Sequence, residues 1–298
     1  MPEGLERLRA IERAMQRLAT LPEAPEDTLG ALVAGGMHPD DAREIAALPR
    51  ERIGVYGGLV GGTIHNAIEN QLAATCSRLA ELGKLRDRVR RFLDQEPPRS
   101  PYLRDVPFEF ARWASKEWAV DPDLPPFLPD LARFELLLFA VAAAERGPRP
   151  TAAPEPLAAD RGVAFDGSVH LARFHHAVHL LPEEPADRSE PERRDVALLL
   201  YRDAQNDARR LELTPLAMRI LEGLLVERAP LGCAIERACL ALGKPLDQEV
   251  IDGAATVLSD LAERGALLGP APASSPLPDP AARSPFWRWL ATGESGAI

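Results

Sequence analysis

The chain has 298 residues, of which 46% are hydrophobic and 27% charged, and a formal net charge of −10. This is the composition of an ordinary folded protein with room for two domains, and its acidity argues against a nucleic-acid partner, whose phosphates are bound by Lys and Arg. The charged start MPEGLERLRAIERAMQRLA, the lack of an apolar run long enough to span a bilayer and the three scattered cysteines (Cys76, Cys233, Cys239) predict neither secretion nor a membrane span, but a reducing, cytoplasmic setting.

In chain order, residues 4–20 read as an amphipathic helix, with Leu5, Leu8, Ile11, Met15 and Leu18 at spacings of three and four. Residues 21–38 read as a Pro/Gly connection. Pro39-Asp40-Asp41 opens a short helix ending near Leu48, with acids in its first turn. Most of the run from Leu48 to Gly83 reads as helix, followed by Leu85–Leu93. A proline-rich PPRSP break precedes the helix Val106–Trp118, whose Phe108, Phe110, Trp113 and Trp118 are core candidates. A long apolar helix covers 129–145, and GPRPTAAPEP (147–156) is a linker.

The period then changes. VHLARFHHAVHLL (169–181) is rich in strand formers. DVALLLYRD (195–203) and DARRLEL (207–213) read as two strands around a tight Gln205-Asn206 turn. Thr214 and Pro215 start a helix reaching 228. A second helix covers 231–242, and a third runs through 247–268 to Gly265 before a short strand. Residues 270–284 are a Pro/Ala/Ser linker, and SPFWRWLATG docks as a terminal helix through Phe286, Trp287 and Trp289. The expected architecture is mainly α with a small β component (α+β). An N-terminal helical bundle (1–146) and a Pro-rich linker (147–162) precede a domain with the element order of a winged helix (163–269). A Pro-rich tail (270–298) follows.

Gly54, Gly57, Gly58, Gly61 and Gly62 fit no phosphate loop, because there is no GxGxxG and no terminal Lys-Ser/Thr. Their spacing is that of one helix face, which predicts close approach of another helix. His170, His175, His176 and His179 form the one histidine cluster. His175 and His179 are the candidate metal pair, and the alternative is a structural role. Cys233 and Cys239 read as small buried residues on one helix. Ser100 has no candidate base nearby, and no paired-carboxylate or HExxH pattern occurs, so no catalytic set and no cofactor are expected. Residues 191–265 hold ten basic and thirteen acidic side chains, the reverse of what a helix in the major groove requires.

Three runs carry a family resemblance: LPRERIGVYGGLVGGTIHNAIENQLAATCSRL, EPPRSPYLRDVPFEFARWA and PFLPDLARFELLLFAVAAAE. Together they resemble the HvfC/BufC-like family, whose N-terminal region often bears the label "putative DNA-binding domain". Gly57-Gly58-Leu59 stands where that family has a polar triplet, and Leu136 where it has an aromatic. The resemblance implies a non-catalytic partner of a multinuclear non-haem iron oxidase that modifies ribosomally made peptides. It also implies that the C-terminal domain is similar to a RiPP recognition element, which binds a precursor's leader as an added strand. The residues so implicated are Arg209, Arg210, Leu211 and Glu212 on the second hairpin strand, and Val250, Ala254, Val257 and Leu261 on the third helix. A winged-helix transcription regulator is the alternative, and a metal-binding protein using the histidines is a third.

Overall fold

The computed structural model describes residues 2–20, 25–144, 156–271 and 286–293. The fold is α+β. Contacts divide it into two compact units, 1–122 with 184–187, and 123–183 with 188–298.

The first unit is helical: α1 (Pro2–Thr20), α2 (Thr28–Ala34), α3 (Pro39–Ala46), α4 (Arg50–Gln71), α5 (Ala73–Glu81), α6 (Leu85–Gln95) and α7 (Val106–Trp118). Ala14, Leu18, Leu32, Met37, Ala42 and Ile53 form a small core among α1 to α4. Leu5 and Leu8 are instead about half exposed (52% and 51%), so the apolar stripe of α1 is buried only toward its C-terminal end. The connection expected over 21–38 contains a helix, α2, started by the Asp27 carboxylate accepting from Gly30 N at 2.8 Å and anchored by buried Leu32. It is only seven residues long and ends in Gly35-Gly36, so its breakers outweigh its pattern.

The aromatic residues expected in the core of this unit are there. Phe92 of α6 meets Phe110 of α7 edge-on at 5.5 Å, and Phe110 meets Trp118 at 5.9 Å. The PPRSP segment is positioned by one carboxylate: Glu109 on α7 accepts from Arg99 N (2.7 Å) and Ser100 N (2.9 Å). Ser100 Oγ donates to Asp105 at 2.5 Å and accepts from Tyr102 N at 3.2 Å. The serine is thus a turn-forming residue. Proline removes the backbone donors that neighbouring structure would use, and the Glu109 side chain satisfies those that remain.

The second unit contains α8 (Leu128–Ala143), β1 (Val163–Phe165), β2 (His170–His176), β3 (Arg193–Arg202), β4 (Ala208–Glu212), α9 (Pro215–Leu225), α10 (Leu231–Ala241), α11 (Gln248–Glu263), β5 (Leu267–Pro270) and α12 (Trp287–Thr292). β2, β3 and β4 form an antiparallel sheet in that order. The strand expected over 169–181 stops at His176, and Val178–Leu180 is a 3-10 turn. β1 was not expected from the sequence, and β5 pairs with it in a separate antiparallel ribbon, Val163 opposite Pro270, rather than joining the hairpin.

Alternation along β2 and β3 buries both faces of the sheet. Leu171, Leu199 and Tyr201 point into a core with Met218, Ile220, Leu221, Leu224, Leu258 and Leu261 from α9 and α11. Phe174, Val196, Leu198 and Leu200, of opposite parity, are also buried, and α8 packs on β2 and β3 there. Phe134 of α8 meets Phe174 edge-on at 6.1 Å. Buried Arg133 of α8 donates to Arg173 O (3.0 Å) and Leu290 O (2.9 Å), and pairs with Asp130 at 3.3 Å. Asp130 in turn accepts from His175 N and from His176 Nδ1, each at 2.9 Å. Burial lowers the Arg133 guanidinium to about 10, while Asp130 opposes that shift. The helix before the proline-rich linker therefore packs with the sheet that follows it.

Local chemistry explains the helix ends. Thr214 caps α9 through Ala217 N at 3.2 Å, with Pro215 in the first turn. Asp247 caps α11 through Val250 N at 3.0 Å. Gly265, at φ +78°, reverses the chain after α11 while Ala266 N returns to Leu261 O at 2.9 Å.

Candidate functional site

β4 is the exposed side of the hairpin sheet. The turn that presents it is a three-residue loop, Ala204–Asn206, rather than Gln205-Asn206 alone. Asp203 N donates to Asp207 O at 2.9 Å, and Asn206 adopts φ +76°. The Asp203 carboxylate accepts from Gln205 N (2.9 Å), Asp207 N (3.0 Å) and Arg209 Nε (2.5 Å). These bonds, led by that from Arg209, hold its pKa below the ordinary carboxylate value.

The hydrogen-bond phase decides which main-chain groups are free. Asp207 O and Leu213 N both bond toward β3, the latter to Ala197 O at 2.8 Å. Arg209 and Leu211 share that orientation. The N–H and C=O groups of Ala208, Arg210 and Glu212 therefore point away from β3, and among the described residues no strand pairs with them. Three unpaired residues in register are a template for one further strand.

The side chains of β4 are fixed by charge. Arg209 reaches Asp203 and Asp207. Arg210 pairs with Glu183 at 3.6 Å and lies over the Phe134 ring at 6.0 Å. Glu212 takes two bonds from Arg194, at 2.6 and 3.0 Å, and one contact with His179 Nε2 at 3.0 Å. The Arg194 bonds, then His179, lower the Glu212 carboxyl to about 2. Burial pushes His179 below its ordinary value, against the opposing effect of Glu212. Leu211 is half-buried against the core.

The other expected binding residues lie on α11. Leu261 is fully buried, Val257 is packed against the core, Val250 is half-buried, and Ala254 is a buried core residue that also lines a groove on the other side of α11. Near the end of α11, Arg264 donates to the Tyr201 hydroxyl at 3.4 Å, across from Arg209 in the strand register. Sequence reasoning missed a large apolar groove. It has a volume of about 930 Å³ and is lined by Leu231, Ile235, Leu246, Ile251, Ala255 and Leu258 with neighbouring residues of β5. Unoccupied surface of that kind depends on how α10, α11 and β5 meet, which no local pattern reports.

The histidines do not converge. His170 contacts Ser168 O, His175 contacts Asp195, His176 contacts Asp130 and His179 contacts Glu212, each at 2.9 or 3.0 Å. Among the described residues no group of three or more His, Cys, Asp and Glu side chains is placed to hold a metal ion. The His175–His179 pair expected as a metal candidate is divided between two carboxylates. Cys239 is buried and Cys233 half-buried, both as free thiols.

The glycine face of α4 also differs from expectation. A Cβ built at Gly54, Gly58, Gly61 or Gly62 would meet nothing within 4 Å, and Val55 and Leu59 beside them are about two-thirds exposed. Gly57, on the same face, is buried, and α1 and α7 pack against α4, so only those four positions are left open.

Residues 168–262, from the first strand of the sheet to the end of α11, match the family model of the HvfC C-terminal domain. Over this segment, about a third of the chain, the sequence is similar to the HvfC C-terminal domain. This match supports the HvfC-like membership that the three N-terminal runs suggest. The matched segment comprises the hairpin sheet and its three helices, with β4 at its open edge. A search of curated proteins returns no match. No helix among the described residues is long and apolar enough to cross a membrane.

Proposed function

We propose that the protein is a non-catalytic adaptor that binds a ribosomal precursor peptide and presents it to a multinuclear non-haem iron oxidase. The observation that carries this reading is the open edge of β4 within the segment similar to the HvfC C-terminal domain. The leader adds a strand beside Ala208, Arg210 and Glu212, with main-chain bonds supplying affinity and the flanking side chains supplying selectivity. Arg209, Arg210, Leu211 and Glu212 are the contact residues of the strand. On α11, Val250 and Val257 are the partly buried contact residues, and Ala254 and Leu261 support them from the core. The helical N-terminal residues dock the oxidase. Tethering both partners raises the local concentration of peptide at the enzyme, and the iron belongs to the oxidase.

The DNA-binding reading lacks a basic surface. Between Ala238 and Glu263 there is one basic residue, Lys244, against five acids.

A tagged pull-down from the native cell, with and without nuclease, tests the proposal. Nuclease-independent recovery of an iron oxidase and a short precursor supports it, whereas nuclease-sensitive recovery of DNA and transcription proteins overturns it. The recovered precursor then tests the edge. Arg210→Pro removes one outward N–H without breaking a bond to β3 and places a ring in the path of the added strand. It is expected to weaken peptide binding at least tenfold, while Arg210→Ala, which keeps the N–H, weakens it less. Equal binding by Arg210→Pro and the parent protein would show that the peptide does not use this edge.

A further inference from the structure

We infer that the groove between α10, α11 and β5 is a second binding site, for a peptide segment carrying bulky apolar side chains flanked by Lys or Arg. It is separate from the main-chain edge of β4. The groove volume, about 930 Å³, falls within the size range of functional ligand sites. Leu157, Leu231, Ile235, Leu246, Ile251 and Leu258 supply apolar lining. Leu246 and Ile251 remain 49% and 45% exposed. Contiguous apolar surface of this kind marks interaction sites.

Charge selects the occupant. Glu236 and Glu263 line the groove, and neither has an ion-pair partner among the described residues. Arg237, beside Glu236, is already paired with Glu227 at 3.1 Å. α11 carries Glu249, Asp252, Asp260 and Glu263 and no basic residue. Lys244, in the turn between α10 and α11, is the one opposing charge in that stretch. A greasy slot bordered by unpaired carboxylates favours an amphipathic cationic segment and repels an anionic one. The nearby sequences of the chain do not have that character. Residues 145–155 (ERGPRPTAAPE) contain no large apolar residue, and 272–285 contain a single leucine and one charge of each sign.

The test uses the full chain and a fluorescein-labelled synthetic peptide with repeating Leu-Lys-Lys-Leu spacing, compared with the same peptide bearing Glu for Lys. Anisotropy should show saturable binding of the Leu/Lys peptide and none of the Leu/Glu peptide. Ala255→Trp fills the groove from an exposed position, and Glu236→Lys with Glu263→Lys reverses its charge; each should weaken binding at least tenfold. Ala262→Trp, at another exposed lining position, serves if Ala255→Trp loses the parent circular dichroism spectrum. Arg210→Pro should bind the Leu/Lys peptide normally, so failure at this groove and failure at the β4 edge are distinguishable. Equal binding of both peptides, or unchanged binding by the tryptophan variants, overturns the inference. So does a co-purifying acyl chain displaced by Ala255→Trp, or a dimer in light scattering that this substitution dissociates.

Discussion

A fragment beginning at Gly147, after the long apolar helix, should fail to fold, whereas one beginning at Asp123 should fold. The magnitude follows from the face that α8 covers. Removing it uncovers Phe174, Val196, Leu198 and Leu200, each now at most 3% exposed. Fully burying such a side chain contributes about 1.5–3 kcal/mol, so the four together contribute roughly 6–12 kcal/mol as an upper bound. That is comparable to the whole net stability of a typical domain, about 5–15 kcal/mol. The loss also unpairs His176 from Asp130 and uncaps the Arg173 and Leu290 carbonyls that Arg133 binds. Urea denaturation followed by circular dichroism decides the matter. The longer fragment should unfold in one cooperative transition; the shorter should show none and should bind a hydrophobic dye in buffer. A shorter fragment with the same midpoint and slope would refute the assignment of α8 to the sheet's core.

Three further outcomes are expected. Asp130→Ala should destabilise the protein by about 3–5 kcal/mol, because it leaves the Arg133 charge buried without its carboxylate; a urea midpoint within error of the parent would contradict this. Glu109→Ala should cost about 1–3 kcal/mol by removing the carboxylate's bonds to the Arg99 and Ser100 amides, and hydrogen exchange at those two positions should rise first. Stability should fall on acidification in two stages, since His179 and Glu212 both have folded pKa values below their ordinary ones. Each then contributes stability that is present above its unfolded pKa, about 6.5 for His and 4.3 for Glu, and lost as pH falls below it. His179→Gln should flatten the first stage, and urea midpoints measured from pH 7 to pH 5 should show the difference.

Much of the fold was legible because its signals are local. Thr214-Pro215 and Asp247 mark helix starts by chemistry that needs no partner, and Phe108, Phe110, Trp113 and Trp118 sit at helical spacing on a buried face. The features that were not legible depend on distant pairing. β1 has three residues and is a strand only because β5, a hundred residues later, lies beside it. The histidines at 170–179 look like a cluster in one dimension, but strand alternation and the following turn send each to a different partner. The glycine stripe of α4 correctly marks a helix face, yet periodicity cannot say whether anything in the same chain covers it.

The edge of β4 lies between these cases, since its sequence carries a signal that is easily misread. Arg209, Arg210 and Glu212 are poor residues for the middle of a sheet buried on both faces, and charged side chains are how natural proteins keep an edge strand from pairing indiscriminately. Here those charges are already engaged, Arg209 with Asp203 and Asp207, Arg210 with Glu183, and Glu212 with Arg194. Engaged charges hold the side chains to the sides of the strand and leave the outward N–H and C=O groups of Ala208, Arg210 and Glu212 unpaired. A strand that adds to this edge must either accept the existing ion pairs as its borders or replace them. The cost of replacing them discriminates against an arbitrary β-prone segment and favours one whose own charges complete the network. Selectivity at such an edge is expected to depend on ionic strength more steeply than affinity does, because surface pairs are screened while main-chain bonds are not.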